Sequence, residues 1–147
     1  TNARKNRTGT FMENIVAKIV NKFSKENNLE YITQASQQKI KNKWNCDVTL
    51  DKADRKFDFA IFNPYKNRLF VIETNYYSSG GSKLKATAGE FQYLYDLLKS
   101  KETDFIWITD GLGWHTAKNP LFESFLHNDY LFNLELIKQG ILTEVIL

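Results

Sequence analysis

Two acidic residues stand in segments that otherwise have the composition of buried β-strands. Asp58 lies within KFDFAIFN and Glu73 within RLFVIETN. If these segments form a hairpin with residues 64–67 as its loop, Asn63 faces Arg68 and Asp58 lies directly opposite Glu73. Their Cβ atoms would then be roughly 4.5 to 5.5 Å apart, where like charges destabilise a sheet. A hard divalent cation such as Mg²⁺, which binds carboxylates together with water and phosphate oxygens, would compensate for this repulsion.

The spacing alone leaves alternatives open. The register could differ by one residue, or Asp58 and Glu73 could pair with lysines at the end of the sheet. In the first register Lys56 lies opposite Asn75, on the face that carries the carboxylates. In a site that cleaves phosphodiesters, a cation there would contact the attacking water or the scissile phosphate.

The two strands of this hairpin are apolar on both faces, which is typical of strands in the middle of a sheet that is covered on both sides. The expected faces are Phe57, Phe59 and Ile61 on one side, and Ala60, Phe62, Leu69 and Val71 on the other.

The elements around the hairpin follow from hydrophobic spacing. Apolar residues at helical intervals between Met12 and Phe23 predict a first helix, with Thr8 or Thr10 as its N-cap and Glu13 at the edge of its apolar face. The later elements predicted in chain order are a polar helix over 36–45, a strand running into a turn over 48–55, a helix over 82–100, a strand over 105–109, a helix over 121–127 and a strand over 141–147. This order predicts an α/β fold, a mixed sheet flanked by helices.

Length and composition set further bounds. A chain of 147 residues that is 42% hydrophobic is expected to form one domain, residues 1–147. No apolar run approaches the ~20 residues needed to cross a bilayer, and the first ten residues lack the apolar core of a signal peptide. We therefore expect a soluble intracellular protein with no membrane partner. Cys46 is the only cysteine, so a metal site must use oxygen ligands rather than a zinc-type cysteine and histidine set.

The charge is uneven along the chain. Residues 1–56 hold 12 Lys and Arg against 6 Asp and Glu, whereas residues 57–147 hold 8 against 11. The basic front could be an ordinary solvated surface, or it could supply phosphate contacts to nucleic acid.

The SSGGSK segment, residues 78–83, follows the second hairpin strand. Its glycines could free backbone N–H groups to face a phosphate. It does not match the Walker A pattern, and without further information it is typical of a plain strand-to-helix turn.

A longer resemblance links these features. TNARKNRTGTFMENIV, RKFDFAIF, IETNYYSSGGSKLK and WITDGLGWHTAKNPL occur in this order and cover nearly the whole chain. Together they resemble the type II restriction endonucleases of the DpnII/MboI group, within the PD-(D/E)xK nuclease superfamily. The resemblance corresponds to the C-terminal part of those enzymes, which fits a chain that begins with Thr rather than Met, as a fragment whose upstream part is absent. It implies a PD-(D/E)xK-like core that hydrolyses double-stranded DNA at GATC with Mg²⁺.

The resemblance also implies roles for individual residues. Asp58 and Glu73 take the metal-binding positions and Glu13 that of the helix acid. Asn75 stands where the superfamily has lysine, which leaves Lys83 as the first choice for the catalytic cation and Lys56 as the second. The residues expected to contact DNA are Ser79, Gly80, Gly81, Ser82 and Lys85, with Arg4, Lys5 and Arg7 at the basic start of the chain.

Two other functions compete with this hypothesis. One is a non-catalytic DNA-binding module that keeps the core for its shape, and the other is a repair-type nuclease on the same core. Because GATC is a palindrome, the restriction-enzyme hypothesis predicts a homodimer as the cutting form. It also predicts a cognate DNA methyltransferase as functional partner and a location in the cytoplasm of a bacterial or archaeal cell.

Overall fold

The computed structural model describes the backbone of residues 2–147 and the side chains of residues 9–147. The helices are α1 Asn2–Glu26, α2 Gln37–Trp44, α3 Ser82–Lys99, α4 Lys118–His127, α5 Leu134–Lys138 and α6 Ile141–Ile146, with a 3₁₀ helix at Leu112–Thr116. The strands are β1 Glu30–Ser36, β2 Lys56–Asn63, β3 Arg68–Tyr76, β4 Thr103–Asp110 and β5 Leu131–Phe132. None of the described helices is long and apolar enough to cross a membrane.

Within residues 2–147 the strands form one mixed sheet in the order β1-β2-β3-β4-β5. β1, β2 and β3 are antiparallel neighbours, and β3, β4 and β5 are parallel. Helix α3 is the crossover between β3 and β4, as a parallel pair requires. The predicted α/β class, a mixed sheet flanked by helices, is confirmed.

Each face of the sheet has its own apolar core because β2 and β3 carry large apolar side chains on both faces. On one face, α1 packs through Met12, Val16 and Val20 with α5 and α6 beside it. On the other face, α3 packs through Leu84, Phe91 and other residues against Phe105 and Trp107 of β4. The site at the end of β2 and β3 therefore lies between two helical layers.

Helix α1 is longer than its spacing predicted. It begins at Asn2, so neither Thr8 nor Thr10 is its N-cap; both lie inside the helix. Most residues that precede them, such as Ala3 and Arg4, favour helix, so the helix extends back past the two threonines. The predicted apolar stripe is confirmed, and Glu13 is half-buried at its edge.

The predicted hairpin register is confirmed over five pairs, from Asn63 opposite Arg68 to Phe59 opposite Ile72. The pairing of β2 with β3 stops at that point, and Asp58 and Glu73 occupy the next position. Lys56 pairs instead with Ser36 on β1, and Asn75 with Thr109 on β4. The predicted Lys56 to Asn75 pair is therefore wrong, because the strands separate before they reach it.

A local twist accompanies this separation. Gln34 on β1 has a φ of 47°, and the pairing of β1 with β2 skips Gln34 and Asp58. As a result Phe57 packs in the α3-side core with Ala60, whereas Phe59 packs on the α1 side. The prediction that Phe57 shares a face with Phe59 is wrong because the side-chain alternation shifts at Asp58.

Two other predicted strands are not strands. Residues 48–55 form an irregular loop, in which Arg55 Nε and Asp51 Oδ1 are 2.6 Å apart. On the side away from β3, β2 pairs with β1, a strand that the spacing did not predict. Residues 141–146 form α6, where Leu142 and Ile146 share one helix face and pack in the α1-side core.

The loop after β3 is held by the segment after β4. Tyr77 N–H donates to Asp110 O at 3.0 Å, and Gly113 N–H donates to Tyr77 O at 2.9 Å. A Cβ at Gly111 would lie 2.1 Å from Tyr77 O, and one at Gly113 would lie 2.4 Å from Ser79 O. Gly111 also has a φ of 116°. These glycines allow the two backbones to approach, which fixes residues 77–79 beside the acidic pair.

This close approach predicts opposite effects for two glycine substitutions. Gly111→Ala should lower the free energy of unfolding by more than about 1 kcal/mol, because its Cβ has no space and its φ disfavours alanine. Gly89→Ala is the control: this position inside α3 has nothing within 4 Å of an added Cβ. It should gain up to about 1 kcal/mol from helix propensity. Chemical denaturation measures the free energy of unfolding of both variants. Equal stability would contradict the close approach of the two backbones at Gly111.

Candidate active site

Asp58 and Glu73 each accept a hydrogen bond from the backbone of the opposite strand. Asp58 N–H donates to Glu73 Oε1 at 3.1 Å. Thr74 N–H and Thr74 Oγ1 donate to Asp58 Oδ2 at 2.8 and 3.0 Å. The two carboxylates thus occupy the gap where the hairpin pairing ends, and they satisfy backbone donors that lost their strand partners.

Each carboxylate keeps one oxygen for another partner. Among the described residues, neither Asp58 Oδ1 nor Glu73 Oε2 accepts a hydrogen bond. Thr74 directs two donors to the same oxygen of Asp58, so the orientation of that carboxylate is fixed. The pair can therefore present two oriented oxygen ligands.

Burial makes negative charge costly here. Burial, and next to it the nearby charge of Asp58, together raise the pKa of Glu73 to about 8. Burial also raises the pKa of Asp58, although the two hydrogen bonds from Thr74 oppose this. A bound cation would offset the cost of ionising both groups.

Glu13 of α1 belongs to the same electrostatic neighbourhood. Its pKa is raised by burial and then by the charge of Asp58, and its own charge raises the pKa of Glu73. Gln34 Nε2 donates to Glu13 Oε1 at 3.3 Å, so the left-handed residue of β1 orients the helix acid. The three predicted acids thus lie at one end of the sheet, contributed by α1, β2 and β3.

The arrangement fits a hard divalent ion with a small number of protein ligands. Among the described residues, no group of three or more His, Cys, Asp and Glu is arranged to hold a metal ion. Asp58 and Glu73 alone would supply its side-chain ligands. Mg²⁺ commonly takes one or two carboxylates and completes its coordination with water and substrate phosphate, so the residues present are compatible with it.

Arg55 is a cation that acts on the acidic pair, and it is already engaged. Its Nε and Nη2 contact the carboxylate of Asp51 at 2.6 and 2.7 Å, and Nη2 contacts Glu90 of α3 at 2.6 Å. Its charge lowers the pKa of Glu73, but burial and Asp58 have the larger effect. Arg55 therefore reduces the repulsion at the site without neutralising it.

Asn75 lies in a cavity of about 350 Å³ beside the acidic pair. Its Oδ1 accepts a hydrogen bond from Nε1 of the fully buried Trp107 at 3.1 Å. This bond leaves the amide nitrogen as the donor end of the side chain. The other residues lining the cavity are Gly9, Glu13, Thr74, Tyr76, Tyr77, Ser78, Ser79, Gly80, Lys83 and Leu84.

The structure separates the two candidate lysines. Lys83 lines this cavity together with Glu13 and Asn75. Lys56 is exposed, and it is absent from the cavity lining that the described side chains form. Lys83 thus shares a cavity with Glu13 and Asn75, and the choice between the two lysines stays a prediction.

The predicted DNA-contacting residues are partly brought together. Ser79 and Gly80 line the cavity, while Gly81, Ser82 and Lys85 lie on the exposed first turns of α3 or just before them. Gly81 is the N-cap of α3, and no described side chain caps that end. An uncapped helix N-terminus attracts anions. The side chains of Arg4, Lys5 and Arg7 lie outside the described residues.

Sequence reasoning missed three residues that orient the site: Thr74, Trp107 and Gln34. Thr74 follows Glu73 directly, so strand alternation predicts its side chain on the other face and gave no signal of its contact with Asp58. Trp107 lies on β4, 32 residues after Asn75 in the sequence, and a bond between the two cannot be predicted from spacing. Gln34 takes a left-handed conformation that glutamine rarely adopts, so nothing in its type indicates it.

A mixed sheet with acids at the open ends of its two central strands is a nuclease-like core. The family model described as DpnII restriction endonuclease matches residues 1–144. The chain belongs to the DpnII restriction endonuclease family.

Curated relatives agree with this assignment. The type II restriction enzyme MjaIII of Methanocaldococcus jannaschii is 55% identical over 149 residues, which cover 99% of this chain and 51% of the relative. LlaDCHI of Lactococcus lactis subsp. cremoris is 44% identical, over 99% of the chain and 48% of the relative. DpnII of Streptococcus pneumoniae is 36% identical, over 97% and 50%. The chain thus spans about half the length of these relatives, and no solved structure matches it.

The raised pKa of Glu73 predicts a pH-dependent stability in the absence of divalent ions. Between its ordinary value of 4.5 and about 8, the folded chain keeps a proton that the unfolded chain has released. The free energy of unfolding should therefore fall as pH rises through this range. Glu73→Gln removes this contribution, so we expect it to melt at a higher temperature than the native chain at pH 8 and at a similar temperature at pH 5.

Thermal unfolding in a chelating buffer measures this difference. Glu123→Gln on the exposed face of α4 is the matched control and should follow the native chain at both pH values. A Glu73→Gln variant that melts below the native chain at pH 8 would show that the buried carboxylate is not the unfavourable group described above.

Proposed function

We propose that this chain carries the nuclease centre of a type II restriction enzyme and hydrolyses phosphodiester bonds of double-stranded DNA at GATC with Mg²⁺. The observation that carries the proposal is the Asp58 and Glu73 pair, in which each carboxylate accepts from the backbone of the opposite strand through one oxygen. Membership of a restriction endonuclease family supports it. The GATC sequence rests on the resemblance to the DpnII/MboI group.

Asp58 and Glu73 are proposed to hold the ion, with Thr74 fixing the orientation of Asp58. When bound, Mg²⁺ would lower the pKa of a coordinated water and stabilise negative charge on the reacting phosphate. Glu13 lies close enough to be affected by the charge of Asp58, and its carboxylate can accept a hydrogen bond from the attacking water. These residues would supply the acidic side of the site.

Lys83 and Asn75 are proposed to supply the donors on the phosphate side. Lys83 offers a full positive charge to the transition state, while the amide nitrogen of Asn75, oriented by Trp107, can donate to a phosphate oxygen or to the attacking water. The superfamily lysine role would thus be shared between an amide on β3 and a lysine on α3. Lys56 is the second choice for the cation.

The rest of the DNA contact is proposed for the basic front of the chain and for residues 79–82 with Lys85. Backbone N–H groups at the α3 N-terminus suit a phosphate, and the lysine and arginine excess of residues 1–56 suits a polyanion. A palindromic target would favour a homodimer. The cell would need a cognate methyltransferase to protect its own DNA, and the enzyme would act in the cytoplasm.

Digestion of unmethylated plasmid with Mg²⁺, followed by sequencing of the ends, tests the proposal. Because the relatives are about twice as long, two proteins should be compared: this chain alone, and a hybrid enzyme in which this chain replaces the matched half of the M. jannaschii relative. Ends at GATC support the full proposal. Cleavage without a shared sequence would favour a repair-type nuclease, and DNA binding without cleavage by either protein would favour the non-catalytic module.

The acidic pair gives the first kinetic prediction. Asp58→Ala or Glu73→Ala should abolish cleavage and leave DNA binding largely intact, because each removes metal ligation together with a repulsive charge. Cleavage and filter binding of the same preparations measure the two effects. Glu26→Ala at the exposed end of α1 is the control and should cleave normally. Undiminished cleavage by either site variant would contradict the metal assignment.

The two candidate lysines give the second kinetic prediction. Lys83→Ala should lower the single-turnover cleavage rate by at least ~10²-fold, equivalent to about 2.7 kcal/mol of transition-state stabilisation. Lys56→Ala should have a much smaller effect because its side chain is outside the cavity lining. If Lys56→Ala is the slow variant and Lys83→Ala is not, the roles of the two lysines are reversed.

A further inference from the structure

Helix α4 presents its large apolar residues to solvent. Phe122, Phe125 and Leu126 are 61, 60 and 69% exposed, and they share one face because they are three or four positions apart. The fully buried position of the same helix is Ser124, whose Oγ accepts from Gln92 Nε2 at 2.9 Å. A surface helix normally turns its apolar stripe toward the core. The exposed stripe of α4 is therefore unusual and requires an explanation.

The stripe belongs to a larger apolar surface. A cavity of about 650 Å³ lies between the end of β4, the 3₁₀ helix, α4, β5 and α5. Phe122 and Phe125 line it, Leu136 of α5 forms part of its opposite wall, and Leu112 is exposed nearby. We call the lining of this cavity, together with Leu112 and Leu126, the α4 groove. Contiguous exposed apolar surface of this kind usually marks an interaction site.

The polar groups of the groove are mostly committed to the fold. Asp110 accepts from the N–H groups of Gly111 and Leu134 at 2.8 and 3.1 Å. Asn133 Oδ1 accepts from Leu136 N–H at 2.9 Å, and Thr109 Oγ1 accepts from Trp114 Nε1 at 2.9 Å. Apart from the exposed side chains of His115 and Lys118, which also line the cavity, a base or another polar ligand would find few donors and acceptors here. The groove is suited to an apolar polypeptide surface.

One edge of the groove is also an edge of the sheet. β5 has only two residues, Leu131 and Phe132, and within the described residues it pairs with β4 alone. Both of its residues line the cavity. A covering segment would thus meet an apolar helix face on one side and a short, uncovered sheet edge on the other.

The length of the relatives indicates what covers this surface. The matched region is 51% of the M. jannaschii enzyme and 48% of the Lactococcus enzyme, so each has about as much chain again outside the match. We infer that the α4 groove is the docking surface for that other half of a full-length enzyme of this family, through a segment with an apolar face. The inference does not depend on the chemistry proposed for Asp58 and Glu73.

Photo-crosslinking in the hybrid enzyme tests the inference. With p-benzoylphenylalanine in place of Phe125, irradiation should join the groove to a peptide from the M. jannaschii half, identified by mass spectrometry. Tyr65, which is 79% exposed in the β2–β3 turn, is the control position and should give no such product. A crosslink between two copies of this chain, or the same low yield at both positions, would overturn the inference.

Melting temperatures provide an independent readout. Phe125→Asp should destabilise the hybrid enzyme by several degrees but leave the 147-residue chain alone unchanged, because the side chain is solvent-exposed there. Tyr65→Asp should change neither protein. A hybrid whose two halves melt in separate transitions would overturn the inference, and so would a dimer of the chain alone that Phe125→Asp dissociates in sedimentation.

Discussion

The repulsion between two buried carboxylates is the constraint on which the site depends. Asp58 and Glu73 are held close together, and burial together with their mutual charge pushes the pKa of Glu73 to about 8. Arg55, whose charge lowers the pKa of Glu73, is divided between Asp51 and Glu90, so it can reduce this repulsion only in part. A fold selected for stability alone would replace such a pair with apolar residues or a complete ion pair. The presence of this pair where the hairpin pairing ends is the reason that we propose a bound cation there.

The sheet accommodates the pair by ending one ladder early. Past Phe59 and Ile72 the backbones of β2 and β3 separate, and the carboxylates themselves accept the N–H groups of Asp58 and Thr74. The left-handed residue Gln34 on β1 lies beside the same point and orients Glu13. The same local distortion therefore opens the gap that the two carboxylates occupy and positions the third acid beside it.

The predictable part of this molecule is the part that local pattern determines. The hairpin, its register and the apolar faces of α1 and α3 follow from alternation and helical spacing, and the acids stand out because their surroundings are apolar.

The elements that the sequence did not predict depend on distant contacts. β1 is an edge strand with a single fully buried residue, Ala35, so it carries little hydrophobic signal. Residues 141–146 are rich in β-branched residues yet form a helix, because Leu142 and Ile146 pack against the core at helical spacing. Trp107 orients Asn75 across β3 and β4, a contact that only the folded sheet creates.

The segment from Asp110 to Thr116 contacts both the loop beside the acidic pair and the α4 groove. On one side its glycines hold the backbone of Tyr77 and Ser79, and Thr116 contacts the loop at Gly80, so it determines where residues 77–80 lie beside the acidic pair. On its other side, Gly111 and Trp114 line the α4 groove. Trp114 packs edge-on against both Tyr77 and Trp107, and Trp107 in turn orients Asn75. A polypeptide that fills the groove would therefore contact Trp114, and through it the aromatic cluster whose Trp107 orients Asn75.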